Sequence, residues 1–189
     1  MKEDKHFERL LAFHCAPTLV GIKSASLISC AKDKFADFFS LLQEYECCLN
    51  CKDIFFFVLS NSTKYTLILV YRKSRLQKVL NQIEGEKILT RFGYKKGDSI
   101  ESHLNHLKIR MSLTKTFPHE IGLFLGYPAE DVSGFIEHKG QNFKLCGYWK
   151  VYSDEIRAKA LFEKYTKCTN VFCKHLSNGT SIKKLLKAI

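Results

Sequence analysis

The sequence predicts an α+β fold, a mixed sheet of about five strands with a central hairpin, covered by about six helices. Two apolar runs of strand length flank a short polar loop, several other segments carry apolar residues at helical spacing, and the two kinds of segment neither alternate strictly nor segregate. With 189 residues and 46% hydrophobic content, the chain is long enough for one well-buried core and short for two. Residues 1–189 therefore read as one α+β domain.

Met1 to His6 mixes charges of both signs and leads into a helix-like or extended apolar stretch. Thr18-Leu19-Val20-Gly21-Ile22 reads as a short strand, preceded by a loop that holds His14-Cys15-Ala16-Pro17. Asp33 to Tyr45 places Phe35, Phe38, Phe39, Leu41 and Leu42 at helical spacing. The two strongest strands are 53–59 and 65–71, joined by Ser60-Asn61-Ser62-Thr63-Lys64, whose small polar residues suit an antiparallel hairpin. From Ser74 a helix puts Leu76, Val79, Leu80 and Ile83 on one face and stops near Gly85, and a second short helix covers 86–92. Asp98-Ser99-Ile100-Glu101 resembles a helix start ahead of Leu104, Leu107, Ile109 and Met111. Glu120 to Tyr127 reads as a strand. Pro128 then opens a helix whose first turn holds Glu130 and Asp131 and whose end is marked by Gly140. Leu145 to Tyr152 returns to strand character, and Ser153 caps a helix with Ile156, Ala160, Leu161 and Tyr165 inward. A last helix lies near 180–187.

No apolar run approaches the ~20 residues of a membrane-spanning helix, and the N-terminus lacks the long apolar core of a secretory signal, so a cytoplasmic protein without membrane insertion is expected. Eight cysteines in such a chain suit reduced thiols or metal ligands better than a disulfide framework. Thirty Lys and Arg against nineteen Asp and Glu leave a net charge of +11, which favours anionic partners such as nucleic acid, nucleotides or lipid headgroups. The basic residues are interspersed with acids, however, and clusters such as Arg72-Lys73-Ser74-Arg75 are short, as on an ordinary solvated surface.

Two short motifs carry the most chemistry. A Cys15 thiol near cations is a candidate nucleophile, but adjacent residues of an extended segment face opposite ways, so its base would be His119 rather than His14. A buried structural cysteine is the alternative. His119-Glu120, after Phe117-Pro118, supplies acid–base groups at a loop edge, or a histidine that simply bonds the backbone at a strand start. Gly126-Tyr127-Pro128 is a strand-to-helix turn whose free amides suit an anion. Gly147 to Tyr152 offers aromatics on alternating faces, half for the core and half for stacking on a planar ligand or base. Cys48 and Cys51 have the spacing of a zinc or redox pair that Cys168, Cys173 and His175 could complete, against a reading of unligated thiols. No phosphate-cradling glycine loop, zincin histidine pair or nucleophile-elbow serine is present in the sequence.

The stretches His14 to Lys23 (HCAPTLVGIK), Phe117 to Pro128 (FPHEIGLFLGYP) and Cys146 to Tyr152 (CGYWKVY), with Tyr71-Arg72, resemble an uncharacterised family of anaerobic, largely clostridial bacterial proteins that is catalogued as a domain of unknown function. The resemblance spans nearly the whole chain and implies no established activity or cofactor. Its implied partners are a flavodoxin or a ferrous-iron uptake system, hence an accessory role in iron or redox metabolism. The resulting first expectation is a protein that binds a small anionic or planar ligand in a pocket lined by His14, Cys15, Lys23, Arg72, His119, Glu120, Tyr127 and Trp149. A thiol-dependent enzyme using Cys15 with His119, and an RNA-binding module driven by net charge, are the alternatives.

Overall fold

The computed structural model describes residues 2–114 and 116–187. Within these, the fold is α+β as expected, with a three-stranded antiparallel sheet at its centre. Its strands are β1 (Ala25–Ala31), β2 (Ile54–Asn61) and β3 (Tyr65–Arg72), in the order β1-β3-β2. The expected central hairpin is β2–β3, with Phe56 opposite Val70 and Val58 opposite Ile68. Its strands alternate between two cores. Ile54, Phe56, Ile68 and Val70 enter one, which also takes Ile28 and Cys30 from β1. Leu59, Leu69 and Tyr71 enter the other. A strand's two-residue period divides its side chains between opposite faces, and the sheet is buried on both.

On the first face lie α1 (Lys2–Leu19), α2 (Phe38–Leu49), α8 (Glu155–Ser177) and α9 (Ile182–Lys187). Phe7, Leu11, Cys15 and Leu19 of α1 repeat every four residues and are fully buried there. Asp37 caps α2 by accepting a hydrogen bond from Ser40 N at 3.1 Å. The second face is covered by α3 (Lys73–Leu80), α4 (Ile83–Arg91), α5 (Ile100–Leu113), α6 (Ile121–Phe124) and α7 (Ala129–Glu137). The start signal before α5 is real, with Ser99 accepting from Ser102 N. Pro128 stands at the start of α7, and Gly140 closes the turn after it.

Several elements differ from their sequence reading. The residues around His14-Cys15 and the expected strand over 18–22 are the last turns of α1 and the bend after it, and the first strand comes three residues later. Pro17, a residue that ordinarily marks a helix boundary, lies inside the helix, and the apolar stripe that starts at Phe7 runs past it to Leu19. Glu120 to Tyr127 is not a strand but contains α6. Ile121 to Leu125 are buried on every side, and a fully buried run carries no period by which strand and helix differ. The expected strand over 145–152 is two short ones, β4 (Leu145–Cys146) and β5 (Lys150–Val151), folded back as a separate two-stranded sheet. Helix α2 starts at Phe38, after a 3-10 turn over Lys32–Lys34, and Gly85 lies within α4 rather than ending α3. Asp154, not Ser153, caps α8 by accepting from Arg157 N. Ala158, Tyr165 and Phe172 are its buried stripe, while Ile156 and Ala160 are exposed.

Candidate functional site

The chain folds back sharply after α1, and this turn makes the site. Leu19 is the last helical residue because Gly21 adopts φ +81°, a left-handed conformation open to glycine. Pro17 O then accepts hydrogen bonds from both Ile22 N and Lys23 N. Arg72, at the end of β3, secures the bend: its guanidinium donates to Thr18 O at 2.8 Å, to Leu19 O and to Lys52 O at 2.9 Å. Arg72 is thus occupied by the orphan carbonyls of a helix end, and not by the pocket expected from sequence. The bend delivers Lys23 to the mouth of β1. On the opposite side, Gly126 (φ +77°) passes so close to Ser24 that a Cβ there would overlap the Ser24 hydroxyl. This approach brings Tyr127 against Lys23.

Lys23 is 9% exposed, and its ammonium lies 5.6 Å from the Tyr127 ring centre and 5.9 Å from that of Tyr165. Among the described residues no carboxylate pairs with it. Burial pulls its pKa from the ordinary 10.5 down to about 8, a fall that the neighbouring Cys15 thiol partly opposes. Lys23 lines a cavity of about 560 Å³ together with His14, Ser26, Tyr127, Tyr148 and Asn170. A cavity of this size accommodates a small organic ligand. Ser26 Oγ is 2.8 Å from Thr18 Oγ1, and the Tyr148 hydroxyl is 3.2 Å from Thr166 Oγ1. Partial burial lowers the pKa of His14, and burial pushes those of Tyr127 and Tyr165 up to about 12.

Tyr127 also borders a second, more apolar cavity of about 360 Å³, lined by His119, Val132, Phe135 and Trp149. The Tyr127 and Trp149 rings stack at 4.9 Å, and His119 stands edge-on to Phe135 at 5.0 Å. Asp131 holds this wall together by accepting from Trp149 Nε1 at 2.7 Å and from Tyr152 N, Ser153 N and Ser153 Oγ at 2.8 Å. Burial favours the protonated acid, but these donors outweigh it and leave Asp131 below the ordinary carboxylate range.

The eight residues expected to line one pocket are therefore distributed over two cavities and three structural sites. His14, Lys23 and Tyr127 share the larger cavity, while His119, Tyr127 and Trp149 share the smaller. Glu120 points away from His119. It is fully buried, where it accepts from the Arg110 guanidinium and from Tyr94 OH at 3.3 Å. Cys15 is fully buried among apolar neighbours and lines neither cavity, and desolvation drives its thiol pKa upward despite Lys23 nearby. A nucleophilic thiolate needs the opposite environment. All eight cysteines are free thiols, with Cys48 exposed near the end of α2 and Cys51 exposed in the 3-10 turn after it. Among the described residues no three His, Cys, Asp or Glu side chains gather as a metal site. Sequence reading missed Asn170 in the larger cavity, Tyr165 beside the Lys23 ammonium, and the anchoring role of Asp131. Spacing gave a signal only for Tyr165, and that signal was burial rather than ligand contact.

The fold and its paired cavities define the class as an α+β protein with a lysine-floored pocket. Residues 11–186 match the family described as Protein of unknown function (DUF3793), and the chain belongs to that family. This agrees with the resemblance read from the three motifs. No curated protein and no solved structure matches the chain. Among the described residues no helix is long and apolar enough to cross a membrane.

Proposed function

We propose that this protein binds a small anionic ligand with a planar part in the larger cavity, with Lys23 as its charge partner. One observation carries the reading: a buried lysine, unpaired among the described residues, lines a ligand-sized cavity. Burying a cation without a partner costs several kcal/mol, so a chain that retains one gains little unless something binds there. An anionic group beside Lys23 supplies the missing counter-charge. His14, Tyr127, Tyr148 and Asn170 add further polar groups, and the rings of Tyr127 and Tyr148 offer faces for a planar part. A single buried cation suits one carboxylate or phosphate better than a polyanionic strand.

Thermal-shift measurements with 4-pyridoxic acid, a planar carboxylate, test the proposal. The compound should raise the melting temperature of the wild-type protein and not that of Lys23→Met. Equal stabilisation of both proteins, or of neither by this acid and by inorganic phosphate, removes the assignment. Strong, salt-sensitive retention on heparin that persists in Lys23→Met would favour the nucleic-acid reading instead.

A further inference from the structure

We infer that Lys23 forms an imine with an aldehyde or ketone that enters the larger cavity. This rests on the proposed ligand site and adds a covalent step to it. Lys23 sits at the cavity wall on a backbone turn that Pro17 O and Arg72 fix, and its side chain is largely buried against the Tyr127 and Tyr165 rings. Its immediate neighbours are two tyrosine faces and a fully buried thiol. No carboxylate among the described residues ties the nitrogen up as an ammonium. The titratable groups that face it are Cys15 from α1, His14 at the cavity rim, Tyr127 from the α6–α7 turn, and Tyr148 and Tyr165 from the β4–β5 turn and α8.

Imine formation balances without any redox partner. The nitrogen lone pair adds to the carbonyl carbon, and the carbonyl π pair moves to oxygen, which takes a proton to give a carbinolamine. The proton on oxygen replaces one that nitrogen loses as it adds, and nitrogen's remaining proton is passed to the hydroxyl, which leaves as water while the nitrogen lone pair forms the C=N bond. Amine and carbonyl thus become imine and one water. His14, the Tyr148 hydroxyl and the Ser26 hydroxyl line the same cavity and can carry these protons to and from the ligand. Protonation of the imine returns a cation to the tyrosine faces that held the ammonium. Lysines desolvated in apolar pockets are suited to this reaction because part of the population is free amine. With a pKa of about 8, roughly a tenth of Lys23 is unprotonated at neutral pH, against roughly four in ten thousand for an ordinary surface lysine.

Pyridoxal 5′-phosphate, which is planar, anionic and an aldehyde, serves as the probe. The whole chain is mixed with an equimolar amount near neutral pH, reduced with borohydride, digested and mapped by mass spectrometry. Label should reach Lys23 at least about tenfold faster than exposed lysines such as Lys34, Lys64 and Lys73. Its rate should rise through a pH of about 8. Excess 4-pyridoxic acid, which has no carbonyl, should slow labelling of Lys23 and leave the exposed lysines unaffected, a control that needs no variant. In Lys23→Arg, which keeps the charge but cannot form an imine, the fast phase should vanish. Labelling of Lys23 no faster than that of the exposed lysines overturns the inference. If 4-pyridoxic acid still stabilises the wild-type protein but not Lys23→Met while no adduct is trapped, the binding site stands and the imine falls. If neither occurs, both fall.

Discussion

Replacing Lys23 with methionine should make the protein more stable at neutral pH. The two side chains are similar in length and shape, so the substitution removes a buried charge with little change in packing. The pKa of Lys23 falls from 10.5 in the open chain to about 8 in the fold. This gap corresponds to about 3 kcal/mol by which the folded state disfavours the ammonium. Loss of the two ring contacts and imperfect filling by the thioether take back roughly 1 kcal/mol, which leaves a gain of about 2. The sign follows from proton counting. Between about pH 8 and 10.5 the unfolded chain binds more protons than the folded one, so wild-type stability from this group rises across that window. Below it the full cost is present, and above it the cost has gone. Urea denaturation of both proteins at neutral pH and near pH 10.5 measures the difference, and the groups the two proteins share cancel. The advantage of Lys23→Met should be about 2 kcal/mol at neutral pH and disappear at the higher pH, and the variant should no longer respond to 4-pyridoxic acid. A variant that is less stable than wild type at neutral pH, or whose difference does not change with pH, refutes the account of Lys23 as an unpaired buried cation. Greater stability with lost binding is the expected trade when a functional group is kept against the interest of the fold.

Asp131→Asn places an amide donor against Trp149 Nε1 and weakens three further bonds. It should cost about 3 kcal/mol in urea denaturation and shift the emission of Trp149, the one tryptophan. Because the Asp131 carboxyl lies below its ordinary range, its contribution is present above the unfolded pKa and lost as pH falls through the lowered folded value. The variant should therefore lose stability less steeply in acid than wild type. Arg110→Met leaves the Glu120 carboxyl buried without its guanidinium partner, and should cost about 3–5 kcal/mol, much of it recovered in Arg110→Met/Glu120→Leu. Gly126→Ala meets both a positive φ and the Ser24 hydroxyl, so a loss of about 1–3 kcal/mol is expected, together with weaker ligand response because Tyr127 is displaced. Native Cys15 should resist iodoacetamide near neutral pH while Cys47, Cys48 and Cys51 react, as peptide mapping would show.

Local pattern alone determined a good part of this molecule. The β2–β3 hairpin follows from two strand-length apolar runs and a polar loop, and the starts of α5 and α7 follow from Ser99 and from Pro128 with its acids. These features depend on neighbours in the chain, which a sequence displays directly. The motif segments around Lys23, Tyr127 and Trp149 border the two cavities. Which of their residues face a cavity depended on tertiary contacts. His14 and Cys15 are adjacent, yet helical geometry sends one to a rim and the other into a core, whereas an extended segment before a strand had been expected there. Arg72 and Glu120 read as pocket-lining polar groups, but partners 20, 53 and 54 residues away for the one and 10 and 26 for the other take them up, and no local spacing announces such bonds. Lys23 gains its significance from what does not reach it. Whether a lysine meets a carboxylate is settled when distant segments pack, and here Tyr127 and Tyr165 arrive where an acid would neutralise it. Sequence thus determined the composition of the pocket's neighbourhood, and packing decided which charge would stand in it uncompensated.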